Sequence, residues 1–373
     1  MTPLAATFVA TAAMLFGFVQ SAEHDTKVRQ ALQQSATLET SKDYDKAIAA
    51  LLPASAQNPN DYTLNVRLGW LFYLNKKYED SERSYQTAIQ AAPKSVEAKL
   101  GYCLVLIADA KYQMAEPVAR QIVDVDPSNY YGNIRLAVAL RLEGKTTEAK
   151  EVVDRNLARY PSDSYFNSEA ASLGSTNGLA GANDPEVTTA IADALKETTA
   201  GDYAKALETL APQLKTHPRN YALNIRSGWL HYLKGDYDKS ERDYQQASRV
   251  NPKAIGAKLG VLLGMLAQER YKNAEPLAEQ ILRTDRGNYY ASVRLAIALR
   301  NLKKYGEAEK LVRKMLVLYP CDISFMTELG LIEAAQAKGD LGRAVFLEVI
   351  ALDPTNTTAK QQLGSEASAS AKK

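Results

Sequence analysis

Histidine, cysteine and tryptophan are scarce in this chain: three, two and two among 373 residues. The histidines, His24, His217 and His231, are scattered, and none has a second histidine or cysteine at ligand spacing, so no metal site is expected. No Gly-x-Ser-x-Gly elbow, His-Glu-x-x-His helix or dinucleotide fingerprint occurs, so neither a catalytic centre nor a cofactor is expected. Charge of one sign is also lacking. Lys and Arg total 45 against 43 Asp and Glu, a net charge of +2. A nucleic-acid partner calls for a basic excess or stripe, and none is expected here.

Long apolar runs are missing too, with one exception. Before the first charged residue, Glu23, an apolar stretch covers residues 4–19. It is long for the core of an export signal and at the short limit for a membrane span. Val19, Ser21 and Ala22 form a candidate cleavage site, although the usual basic start is absent. Residues 1–22 therefore read as a cleaved signal peptide, as a retained anchor that would tether the chain to a membrane, or as neither. The expectation carried forward is an exported, periplasmic or envelope-associated protein, with a cytoplasmic one as the alternative.

What is present in quantity is helix-forming sequence with a period. Apolar residues make up 46%, ordinary for a folded chain, and Leu, Ala, Glu, Lys, Gln and Arg favour helix. Pro59, Pro93, Pro127 and Pro161 are spaced by 34 residues, as are Pro218 and Pro252, and Pro320 and Pro354. The missing beat falls at Arg286. Each proline closes two helical apolar patterns separated by a short polar break. In 62–95, Leu64, Leu68, Leu71 and Phe72 form the first stripe and Ser81, Tyr85, Ala88 and Ile89 the second. Proline ends the second helix because it cannot continue one.

The pattern resembles the tetratricopeptide repeat, a 34-residue helix–turn–helix unit with a sparse W-x2-L-G-x2-Y…A-x3-F…P signature. In 62–95 the matching residues are Leu68, Gly69, Phe72, Ser81, Tyr85, Ala88 and Pro93, while Asn65 replaces the leading tryptophan. Tyr112, Ala115, Ala119 and Pro127 match in 96–129; Leu136, Ala137, Leu140, Ala149 and Pro161 match in 130–163. In 28–61 only the second helix stands out, through Tyr44, Ala47, Leu51, Ala54 and Pro59. The small residues Gly69, Ala88 and Ala115 are expected where two helices cross closely.

The whole four-repeat block then recurs. Residues 187–322 repeat 28–163 at a constant shift of 159, with about half the positions identical between 62–161 and 221–320. NYYGNIRLAVALR at 129–141 returns as NYYASVRLAIALR at 288–300. Even odd features are copied. Pro117 and Pro276 are expected in a first helical turn, where proline is tolerated; Pro53 and Pro212 are expected to kink a second helix. The segment 164–186 joins the modules. It begins helix-like and becomes a Gly/Asn/Ser run without the lysine of a phosphate loop, so it reads as a linker. A ninth unit follows at 323–356, with Leu329, Gly330, Phe346 and Pro354, and 357–373 reads as a capping helix with a tail frayed from Ser365. Cys103 and Cys321 fall five units apart; at roughly 10 Å per helix layer this exceeds the ~6 Å Cα separation of a disulfide, and both read as free packing residues.

The resemblance implies an all-α, right-handed superhelical solenoid that works as a non-enzymatic scaffold. In such repeats the first helices line a groove for a protein or peptide. Here that face carries Arg67, Trp70 and Tyr73, with Arg226, Trp229 and Tyr232 as their copies. Two repeats on stand Tyr131, Arg135 and Arg141, copied as Tyr290, Arg294 and Arg300. Tyrosine, tryptophan and arginine dominate interface hot spots. The same residues equally suit packing: Arg67 and Arg135 with acids of a neighbouring repeat, Trp70 between adjacent helices. Val66 and Trp70 occupy places that are polar in repeats that clamp a C-terminal carboxylate, which argues against that clamp. The alternatives in function are self-assembly end to end and an accessory tether of an envelope or polysaccharide export machinery. The oligomeric state is open.

Overall fold

The computed structural model describes residues 22–161, 163–174 and 184–370. The apolar leader at 1–21, the centre of the Gly-rich run at 175–183, position 162 and the last residues, 371–373, lie outside the described residues. Within them the chain forms 20 helices and no strand.

The first module holds α1 (Ala22–Thr40), α2 (Tyr44–Gln57), α3 (Tyr62–Leu74), α4 (Tyr78–Ala91), α5 (Val96–Ala108), α6 (Tyr112–Val125), α7 (Tyr130–Leu142) and α8 (Thr146–Arg159). Helix α9 (Ser164–Ser172) leads into the joint. The second module holds α10 (Pro185–Thr199), α11 (Tyr203–Thr216), α12 (Tyr221–Leu233), α13 (Tyr237–Val250), α14 (Ile255–Ala267), α15 (Tyr271–Thr284), α16 (Tyr289–Asn301) and α17 (Tyr305–Leu318). Helices α18 (Ile323–Ala335), α19 (Gly339–Leu352) and α20 (Thr357–Ser370) follow. The first repeat thus has a first helix, α1, that its sequence did not announce. Helix α20 continues to Ser370, past the point where fraying was expected.

Each hairpin turns on one left-handed residue. Positive φ recurs at Lys42, Lys76, Ala110 and Gly144, and again at Gly201, Gly235, Glu269, Lys303 and Ala337. The Lys77 N–H reaches the Phe72 carbonyl at 2.9 Å and the Lys76 N–H the Tyr73 carbonyl at 3.0 Å, the pairing that closes a helix C-terminus on such a residue. The hairpin is then locked across its crossing point. A Cβ on Gly69 would stand 2.8 Å from the Tyr85 ring, and one on Gly101 would stand 2.2 Å from it. Gly228 and Gly260 bracket Tyr244 in the same way, at 3.0 and 2.3 Å. A ring from the second helix is seated between two first helices, and glycine makes the room. Ser81 Oγ adds a hydrogen bond to the Gly69 carbonyl at 2.6 Å.

Asn65, which stands where the repeat signature has tryptophan, works as a clamp. Its side-chain amide donates to the carbonyls of Pro59 at 2.9 Å and Asp61 at 2.7 Å. Asn133, Asn167 and Asn224 repeat both bonds on Pro127 and Asn129, Pro161 and Asp163, and Pro218 and Asn220. These clamps tie Pro59, Pro127, Pro161 and Pro218 to the helices that follow them.

Two of the copied prolines, Pro117 and Pro276, do not sit in a first helical turn as expected. Pro117 and Pro276 are the sixth residues of α6 and α15, beyond the first turn. Each therefore removes one internal helix hydrogen bond. They lie on exposed positions, as do Pro53 and Pro212 inside α2 and α11, where solvent can reach the orphaned carbonyl.

The helices fall into two compact units, residues up to 105 with 312 onwards, and residues 106–311. In the first, α1 packs on α19 and Arg29 pairs with Glu348 at 2.8 Å. Leu32, Leu51, Leu64, Leu71 and Ala351 share one core there. Cys321 also returns to the early repeats: its N–H donates to Glu97 at 3.0 Å and its thiol lies 3.5 Å from the Thr63 hydroxyl. Both cysteines are free thiols, but the linear spacing used to separate them does not hold, because the chain comes back on itself. In the second unit, two copies of one loop meet. Ser128 lies 3.4 Å from Asn288, and a Cβ on Gly287 would be 2.9 Å from Asp126.

Candidate functional site

The first-helix faces present the aromatic and basic residues singled out from the sequence, in two different conditions. On α3, Trp70 stacks on Tyr73 at 5.6 Å and 28°. Its indole N–H donates to Glu39 Oε1 at 2.8 Å. Glu39 Oε2 accepts the Arg67 guanidinium at 2.6 Å, and Arg67 Nε donates to Ser35 Oγ at 3.1 Å. Arg67 is only 16% exposed, and its NH2 group is buried without a hydrogen-bond partner among the described residues. Glu39 and Ser35 come from α1, more than thirty residues away in sequence.

On α12 the stack is preserved, with Trp229 and Tyr232 at 5.5 Å and 14°. The carboxylate is not. At the positions equivalent to Ser35 and Glu39, helix α10 carries Ala194 and Thr198. The Thr198 hydroxyl donates to the Ala194 carbonyl at 2.5 Å, and Trp229 remains 37% exposed.

The next face combines tyrosine with arginine. Arg135 lies over the Tyr131 ring at 5.6 Å and Arg294 over Tyr290 at 5.7 Å, a cation–π arrangement. The two tyrosines are 58% and 51% exposed. Arg294 also donates to the Leu259 carbonyl at 2.9 Å. Arg141 is held by Glu169 of α9, and Arg300 is not free either. Glu39, Ser35 and Glu169 were not found from the sequence, because helices α1 and α9 carry little of the repeat signature.

One polar cluster lies beneath the second face. Ser227, His231 and Asp243 stand where the first module has Leu68, Phe72 and Ser84. Ser227 Oγ donates to Asp243 Oδ2 at 2.6 Å, and His231 Nε2 lies 3.9 Å from the same oxygen. The serine bonds the carboxylate and not the imidazole, so this geometry does not generate a nucleophile. Burial pushes the His231 imidazole below its ordinary value and Asp243 above its own. In the other unit, burial raises the Glu97 carboxyl to about 7, opposed by hydrogen bonds from the Cys321 N–H and the Tyr62 hydroxyl. At the position equivalent to Glu97 stands Gly256, and a Cβ there would be 3.4 Å from the Tyr160 ring.

Among the described residues no three His, Cys, Asp or Glu side chains form a metal cluster, and no helix is long and apolar enough to cross a membrane.

Two family models of the tetratricopeptide repeat match the chain, one at 37–96 and 189–255 and the other at 265–320. No curated protein matches it. Among solved structures it is similar to MamA from Desulfovibrio magneticus RS-1, with 16% identity over 46% of this chain and 98% of that one and a TM-score of 0.42. It is also similar to a thermophilic repeat protein of Thermus thermophilus, with 13% identity, coverage of 48% and 97%, and a TM-score of 0.41. A repeat protein of Parabacteroides merdae covers 72% of this chain and 97% of its own at 17% identity, with a TM-score of 0.39. The 34-residue hairpins, their left-handed turns and the two family models make this chain a tetratricopeptide repeat protein, a fold that supports protein–protein interaction.

Proposed function

We propose that this protein is a non-enzymatic docking scaffold, exported or envelope-associated, which receives a protein or peptide segment on the first-helix faces of its repeats. The observation that carries the reading is the exposure of Trp229, Tyr290 and Tyr131, at 37%, 51% and 58%. Their helices bury the opposite side: Leu223 and Leu230 on α12, Ala298 and Leu299 on α16, Leu136 and Leu140 on α7. Large aromatic side chains left accessible on one face of an otherwise well-packed stack mark an interaction surface. Their rings supply contact area, and the adjacent arginines supply charge-assisted hydrogen bonds.

The apolar stretch at 4–19 supports export, and sequencing the N-terminus of the mature protein tests it directly. The docking reading is tested by affinity capture from native extract with the wild-type chain and with a Trp229→Ala, Tyr131→Ala, Tyr290→Ala variant. Partners retained by the wild type should be lost by a variant whose thermal stability is unchanged. Identical partners on both proteins would contradict the reading.

A further inference from the structure

We propose that the face formed by Arg226 and Trp229 takes an acidic side chain, Asp or Glu, presented by a peptide segment of the protein partner. The proposal rests on the docking reading and names the chemistry of that same surface.

The template for the contact is inside the molecule. In the first unit Glu39 divides its two oxygens between the twin residues: Oε1 takes the Trp70 indole at 2.8 Å and Oε2 takes the Arg67 guanidinium at 2.6 Å. One carboxylate therefore suits an arginine and a tryptophan three residues apart on a helix. In the second unit the same pair of helices touches, α10 against α12, but with Ala194 and Thr198 in place of Ser35 and Glu39. Arg226 then has neither a hydrogen bond nor an ion pair among the described residues.

A second arginine adds to the charge. Arg294 makes one neutral hydrogen bond, to the Leu259 carbonyl. The groups that act on it electrostatically are all tyrosines: Tyr160, Tyr232, Tyr244 and Tyr290. Tyr244 acts on Arg226 as well, so the two guanidinium groups share a tyrosine, and neither has a bonded carboxylate among the described residues. Arg294 keeps some solvent access. Burial pushes both guanidinium groups below their ordinary value, and a bound carboxylate would reverse that direction. A partly desolvated cation without a counter-charge is costly to maintain, so an arriving anion is favoured. The indole N–H of Trp229 and its stack with Tyr232 select a carboxylate carried on a peptide, whose neighbouring groups can lie against the rings.

The test is a selection of random peptides displayed on phage against the full chain. Enriched peptides are then titrated into a Trp70→Phe protein, in which Trp229 is the only tryptophan. The expected result is that enriched peptides carry Asp or Glu, and that changing it to the amide weakens binding at least tenfold. Thr198→Glu, which supplies the missing carboxylate in cis, should weaken binding to the same extent while the fold is retained. Glu39→Thr should add a second site. Arg226→Gln provides an independent variant should Thr198→Glu not fold. Peptides that depend on Trp229 and Tyr290 but not on an acid would overturn this proposal and leave the docking reading standing. Failure to enrich any peptide, or enrichment of peptides indifferent to all these substitutions, would overturn both.

Discussion

Segments 67–73 and 226–232 carry the same arginine, tryptophan and tyrosine at the same repeat positions, yet one face is closed and the other open. In the first unit Glu39 satisfies both Arg67 and Trp70. In the second, Thr198 turns its hydroxyl back onto its own helix, and Arg226 has no ion pair among the described residues. A duplicated module thus keeps its packing residues while its polar contacts change. The lesson is local: repetition of Trp70 as Trp229 says nothing about function until the residue facing each of them is known.

The comparison can be broken at several places. The largest effect is expected at Glu97, which exists in one unit only. Its folded carboxyl is raised to about 7, so its contribution is fully present below about pH 4.5 and is lost as pH rises through 7. Glu97→Gln should therefore gain stability at pH 8, on the order of 3 kcal/mol, and gain little at pH 4. Urea unfolding at the two pH values checks this. Next comes Glu39→Thr, which gives the first unit the residue of the second. It leaves Arg67 without its counter-charge in a mostly buried position and should cost about 2 kcal/mol, between the values for surface and buried pairs. Thermal unfolding would show it, together with a red shift of Trp70 emission.

A smaller effect is expected in the turns. Lys76 and Gly235 occupy equivalent positions with φ of 58° and 79°. Lys76→Gly should stabilise and Gly235→Ala should destabilise, each by about 1 kcal/mol. The opposite signs, read by denaturant midpoints, are the check. The smallest belongs to His231, whose pKa is lowered by burial. Its contribution is complete above the unfolded value near 6.5 and is lost as pH falls through the folded one. His231→Phe, the residue of the first module, should slightly flatten the decline in melting temperature between pH 7 and 5.

The sequence made the hairpin order legible because the 34-residue beat of prolines and the apolar stripes are local signals. Gly69 and Ala88 were likewise readable as close-crossing positions, and Gly69 indeed faces the Tyr85 ring. The aromatic face was readable from helical spacing alone. What decided the condition of that face was not. Glu39 reaches Trp70 across 31 residues from a helix whose own repeat signature is weak, so no spacing rule pointed to it. The return of Cys321 to Glu97 spans 224 residues, and adding layer thicknesses along a straight stack cannot foresee it. Asn65 read as a lost tryptophan; only the positions of the Pro59 and Asp61 carbonyls show that it has taken a different task.

The difference between the twin faces can be measured through their tryptophans. Single-tryptophan proteins, Trp70→Phe and Trp229→Phe, would be quenched with iodide, an anion that concentrates beside an unpaired guanidinium. The account predicts that Trp229 is quenched several-fold more steeply than Trp70 and that Thr198→Glu removes the excess. Equal quenching of the two residues, or an excess that survives Thr198→Glu, would contradict it.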